Sequence, residues 1–182
     1  VVTDANGCAS APATGVLTAN ALPVAAVNSE TICAGDPAVT FIATSATAVG
    51  WLWSENGTGT LQNTSGTIAG NYTVVVTDAN GCASAPATGV LTVNALPVAP
   101  TITAGGPTTF CDGESVVLTS SEATGNVWST AETTQAITVT TAGSYTVEYT
   151  DGNGCKATSA ATTVTVNALP VAPTITAGGP TT

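Results

Sequence analysis

The chain repeats itself almost letter for letter, and this restricts what it can fold into. Residues 1–25, VVTDANGCASAPATGVLTANALPVA, recur at 75–99 with one change, Ala19 to Val93. Residues 98–109, VAPTITAGGPTT, recur unchanged at 171–182. The offsets are 74 and 73 residues. That exceeds the roughly 20–50 residues of solenoid and propeller repeats and suits independently folded beads. The repeat divides the chain into 1–24, the tail of a preceding unit; 25–97 and 98–170, two complete units; and 171–182, the head of a following one. Such a window is expected to belong to a much longer polypeptide.

A unit of about 73 residues has a core of only marginal stability on its own. The chain is 43% hydrophobic but has no Met and only two Phe. It is rich in Thr and Val, which favour strands, and its Gly, Pro and Asn punctuate turns. No helical periodicity is visible, so the expected class is all-β. Eleven carboxylates face one cation, Lys156, with no Arg or His. Nucleic acid and anionic membrane surfaces both demand basic side chains, so neither is an expected partner. No apolar run reaches the ~18 residues needed to cross a bilayer as a helix.

Five cysteines fall at Cys8, Cys33, Cys82, Cys111 and Cys155. Each complete unit holds two, which predicts disulfides Cys33–Cys82 and Cys111–Cys155. Cys8 matches Cys82, and its partner is expected upstream of Val1, so it is left unpaired by truncation. Each bond would stabilise its unit by about 4 kcal/mol in the chain-entropy model. Disulfides at this density imply an oxidising, extracytoplasmic setting. Zinc would want more clustered Cys or His ligands, and a nucleophilic cysteine would want a base nearby.

In the second unit, strands are predicted at 101–103, 116–119, 126–128, 136–139, 145–150 and 163–166, with Trp128 plugging the centre. Tyr145, Val147 and Tyr149 share one face of their strand, and that face is expected to be buried. The first unit follows the same order: 39–42, 51–53, 72–77 and 90–93, with no strand placed between Glu55 and Gly66. This pattern predicts antiparallel immunoglobulin-like β-sandwiches arranged as a rod. Tyr72 and Tyr145 are placed to tie the corner before the penultimate strand. The joints at 94–100 and 167–173, with a variant at 20–26, carry prolines that make a short, stiff spacer. Leu96 and Leu169 are expected to pack there.

Trp53-Ser54 and Trp128-Ser129, the Gly-x-Tyr-Thr-Val runs at 70–74 and 143–147, and the Thr-Asp-x-Asn-Gly-Cys runs at 77–82 and 150–155 form one recurring pattern. It resembles the tandem immunoglobulin-like or PKD-like repeats of large Bacteroidota surface adhesins and gliding-motility proteins. The resemblance covers the whole chain. It implies a secreted, cell-surface protein exported by the type IX route.

Several motifs allow a ligand as well as a structural reading. Asp-x-Asn-Gly, at 4–7, 78–81 and 151–154, resembles the start of a calcium loop, with Asp78, Asn80, Asp151 and Asn153 as oxygen donors. Asn-Gly is also a strong hairpin signal, and no further acidic ligands follow downstream. Trp51, beside Asn56, could stack on a sugar, or simply cover one end of the sandwich. Thr-x-Thr pairs at 101/103, 138/140, 163/165 and 174/176 could form an ice-binding grid, or mark the solvent faces of strands. Asn56, Asn63 and Asn71 open glycosylation-type triplets that arise easily in a Thr-rich chain. Catalysis has little to draw on: Asp112 and Glu114 lie in a loop, and Lys156 has no counterpart in the first unit.

The expected role is therefore a structural stalk or filament segment, with no enzymatic activity, no cofactor and no metal. Its expected partners are neighbouring repeats and further copies of itself. The alternative is a carbohydrate- or cell-binding module that contacts surface glycans.

Overall fold

The computed structural model describes residues 1–176 together with 178 and 179. Ala177, Pro180, Thr181 and Thr182, part of the expected head of a following repeat, lie outside the described residues. All regular structure among the described residues is β-strand. The chain forms two compact units, Val1–Thr31 with Asp36–Val93, and Ile32–Gly35 with Asn94–Thr182.

The first sandwich is built from β1 (Ala26–Val27), β2 (Glu30–Cys33), β3 (Val39–Thr44), β4 (Ala48–Glu55), β5 (Asn63–Gly66), β6 (Gly70–Asp78) and β7 (Ala87–Asn94), although Ile32 and Cys33 at the end of β2 and Asn94 at the end of β7 group with the second unit. One sheet has the order β1-β3-β5 and the other β2-β7-β6-β4. Alternation fixes which side chains face inward. Along β6, Tyr72, Val74, Val76 and Asp78 are buried, and the residues between them are only partly so. Phe41 stacks on Tyr72 with ring centroids 4.0 Å apart, and Trp53 and Leu91 are buried in the same unit. Gly66 lies against Tyr72, where an added Cβ would overlap the phenol.

The second unit comprises β8 (Ile102–Ala104), β9 (Thr109–Cys111), β10 (Val116–Ser120), β11 (Asn126–Trp128), β12 (Ala136–Val139), β13 (Gly143–Tyr145), β14 (Val147–Thr150), β15 (Lys156–Thr158) and β16 (Thr162–Asn167). One sheet is β12-β10-β8. The other face is split into β13-β16-β9 and β11-β14-β15, because β13 and β14 are consecutive pieces of one path. Joined end to end, these repeat the strand order of the first unit, which is that of an immunoglobulin-like sandwich. Trp128 sits at the centre, 2% exposed, among Phe110, Val116, Leu118, Ile137, Val139, Tyr145, Val147 and Val164.

Both tyrosine corners are present. The Tyr72 hydroxyl donates to the Ile68 carbonyl at 3.1 Å, and the Tyr145 hydroxyl to the Thr141 carbonyl at 2.8 Å. Other expectations need correction. The stretch between Glu55 and Gly66 does contain a strand, β5, which is half-buried and pairs with β3 despite its polar Asn-Thr-Ser-Gly sequence. On the Tyr145 face, burial weakens to partial at Tyr149, near the strand end. Leu96 and Leu169 are not packed: they are 52% and 60% exposed.

Candidate functional site: the cysteine-bearing ends

Each sandwich has a leading end, where its chain begins, and a trailing end, where its last strand finishes. In the second unit the leading end gathers Thr101, Ser121, Gly125 and Thr150, joined by the Ser121 N–H to the Thr101 carbonyl and the Thr150 N–H to the Gly125 carbonyl, both 2.9 Å. Cys155 follows the 151–154 turn at this end, next to the Thr150–Lys156 pair. At the trailing end, β9 runs parallel to β16 and sets Cys111 opposite Asn167, the last residue of the last strand. The register Tyr145↔Thr162 and Gly143↔Val164 links the two ends. From Cys111 to Cys155 the path covers about ten strand residues, roughly 30 Å at about 3.3 Å each. A disulfide needs Cα atoms within about 7 Å.

The predicted Cys111–Cys155 bond is therefore out of reach inside one sandwich. The same holds for Cys33–Cys82. Ala34, just after Cys33, donates to the carbonyl of Asn94, the last residue of β7. Cys82 instead follows the turn after Asp78, at the other end of β6. The observed disulfide is Cys33–Cys155, with Cα atoms 5.6 Å apart. Cys33 lies in the short strip Ile32–Gly35 that groups with the second unit. Cys8, Cys82 and Cys111 are thiols.

The leading-end loop is built identically three times. The Asp4, Asp78 and Asp151 carboxylates accept the Asn6, Asn80 and Asn153 N–H groups at 3.0, 2.9 and 2.9 Å. The same oxygens accept the Cys8, Cys82 and Cys155 N–H groups at 2.9, 2.8 and 2.9 Å. Gly7, Gly81 and Gly154 close the turns with φ of 83°, 81° and 84°, a region a side chain would strain. After each cysteine a serine hydroxyl accepts a strand N–H, as Ser84 does from Val76 and Ser159 from Val147, both at 3.0 Å. The aspartates thus hold the cysteine backbone with the oxygen a calcium site would use. Among the described residues no group of three or more His, Cys, Asp or Glu is placed to hold a metal.

The remaining candidates sit apart from these loops. Trp51 is half-buried, with its indole N–H enclosed and without an acceptor. Asn56 lies beyond Glu55, itself four positions along β4, about 13 Å away at strand spacing, and its amide ties to the Ala69 carbonyl at 3.4 Å. The structure does not bring Trp51 and Asn56 together. The residues of the Thr-x-Thr pairs are exposed, but Thr138 and Thr163 lie on different sheets and form no common grid. Glu114 accepts the Cys111 N–H at 3.0 Å and so closes the loop at the trailing end. Lys156 pairs with Glu148 at 2.6 Å on the surface. A shallow depression of about 390 Å³ on the first unit is lined by residues of 20–24 with Ala46, Thr47, Asp78 and Asn80.

Sequence reasoning missed β2 and β9, the short strands that carry Cys33 and Cys111 to the trailing end. The available signal was connection order: one cysteine falls after the first strand and the other after the penultimate one, at opposite ends.

No family model and no curated sequence matches the chain. Among solved structures, murine CEACAM1b is 13% identical, with TM-score 0.38, over 79% of this chain and 100% of that one. The fibronectin(III)-like modules of Clostridium thermocellum CbhA are 14% identical, with TM-score 0.34, over 79% and 95%. The Bacteroides ovatus mixed-linkage glucan protein SGBP-B, solved with a heptasaccharide, is 16% identical, with TM-score 0.28, over 76% and 43%. The sandwich assignment rests on strand order rather than on these likenesses. No helix among the described residues is long and apolar enough to cross a membrane.

Proposed function

We propose that this chain is a non-enzymatic stalk or filament segment of a long secreted surface protein, assembled from immunoglobulin-like repeats and hardened by disulfides. The observation that carries the reading is a covalent bond between cysteines of different sequence repeats, Cys33 and Cys155. A segment whose task is to transmit load gains from such a bond, because pulling on the chain ends cannot separate the two residues without breaking sulfur–sulfur covalency. A disulfide also suits an oxidising compartment outside the cytoplasm. The sandwich surfaces fit the same role. They are mostly Thr, Ala and Val, with one-sided negative charge and few groups that could perform acid–base or nucleophilic chemistry.

The partners in this reading are neighbouring repeats and further copies of the chain on a cell surface, as in the adhesin class the sequence resembles. Single-molecule stretching of the intact protein tests it. Under oxidising conditions the contour length released per unfolding event should be shorter than after reduction, since the residues between Cys33 and Cys155 stay locked. Equal release in both conditions would remove the mechanical reading. The glycan-binding alternative lacks a supporting contact, because Trp51 and Asn56 do not converge. Sugar affinity that is lost in Trp51→Ala would restore it.

A further inference from the structure

The cysteines of this chain are of two kinds, and each kind has its own backbone setting. The leading-end kind, Cys8, Cys82 and Cys155, follows the Asp-x-Asn-Gly turn and donates its N–H to the aspartate at 2.9, 2.8 and 2.9 Å. The trailing-end kind, Cys33 and Cys111, closes a short strand beside the end of the last one. The residue after it, Ala34 or Asp112, donates to the carbonyl of Asn94 or Asn167 at 2.8 Å in both copies. The disulfide joins one of each kind. Cys82, half-buried, and Cys111, exposed, hold thiols in the same two settings. Within one repeat the two kinds lie some 30 Å apart, so neither can be satisfied by its own sandwich.

We infer that Cys111 and Cys82 are the two halves of a recurring linkage. The trailing-end cysteine of each repeat bonds the leading-end cysteine of the repeat that follows, as Cys33 bonds Cys155. Cys111 then takes a leading-end cysteine ahead of it, and Cys82 a trailing-end cysteine behind it. For this chain taken alone, a second copy supplies both. The inference concerns how repeats are joined, and it stands whether the array serves as a stalk or as a binding module.

Closing the bond oxidises two thiols. The Cys111 and Cys82 sulfurs lose two protons and two electrons as their S–S bond forms. A small-molecule disulfide such as oxidised glutathione takes them up, its own S–S bond breaking to give two thiols. One cysteine thiolate attacks the small disulfide to form a mixed disulfide, and the second displaces the remaining glutathione thiol.

The test uses the 182-residue chain carrying Cys8→Ser, so that Cys82 is the one unpaired leading-end thiol. Incubated concentrated with oxidised glutathione and run on a non-reducing gel, it should give a ladder of dimers, trimers and higher species. The ladder should collapse with dithiothreitol, and its junction peptide should join Cys111 to Cys82. Adding Cys111→Ser leaves Cys82 without a trailing-end partner, so the chain should stay monomeric while the far-ultraviolet spectrum stays that of a folded β protein. A dimer joined Cys82 to Cys82 in that variant, junctions joining Cys111 to Cys111 in the parent, or parent monomers with glutathione on both thiols would each overturn the inference.

Discussion

Cys155→Ala and Cys111→Ala should have opposite consequences, although the two residues belong to the same sequence repeat. Cys155 is fully buried and bonded to Cys33 across 122 residues of sequence. Opening a loop of that size costs about 5 kcal/mol in the chain-entropy model when the intervening chain is unfolded. With a urea m-value of about 2 kcal/mol/M, the midpoint should fall by up to about 2.5 M. Cys111 is an exposed thiol, and its replacement should change stability by no more than about 0.5 kcal/mol. The assay is equilibrium urea unfolding followed by tryptophan fluorescence, with Trp51 and Trp53 reporting on the first unit and Trp128 on the second. Cys33→Ala, Cys155→Ala and the double variant should all cost the same, since each removes the same bond. Pairing within repeats predicts a different pattern, with Cys111→Ala matching Cys155→Ala and Cys82→Ala matching Cys33→Ala, each at about 4 kcal/mol. That pattern would refute the register argument.

Other substitutions test the sandwich itself. Trp128→Ala removes the central side chain of the second unit and should cost about 3–5 kcal/mol by calorimetry or denaturant, enough to unfold so small a domain. Tyr72→Phe and Tyr145→Phe should each cost about 1 kcal/mol, the net worth of the corner hydrogen bond, read as a lowered midpoint with an unchanged m-value. Lys156→Met should move stability by less than about 0.5 kcal/mol, because its ion pair with Glu148 is surface-exposed, with side chains 60% and 35% accessible.

Much of this fold could be read from residues alone. Alternation in 145–150 and 72–77 marked the penultimate strands, Trp53 and Trp128 marked the core, and the tyrosines marked the corners. Each of these signals is local and tied to burial. What escaped was not local. The β5 strand carries no apolar alternation, because its Asn-Thr-Ser-Gly run is held by pairing with β3 rather than by its own burial. The strands that carry Cys33 and Cys111 are short and lie at a sheet edge, and for Cys111 the position is set by parallel pairing with the last strand. Two cysteines per repeat looked like one bond per repeat. Only the register shows that they point to opposite ends.

The central claim is that a repeat cannot close its own disulfide and that its leading-end cysteine is bonded by a residue of the preceding repeat. Thiol-blocked, unreduced peptide mapping of the folded chain decides it. The account predicts one cross-linked species joining the peptides of Cys33 and Cys155, with Cys82 recovered apart from Cys33. Recovery of Cys33 joined to Cys82, together with Cys111 joined to Cys155, would contradict it.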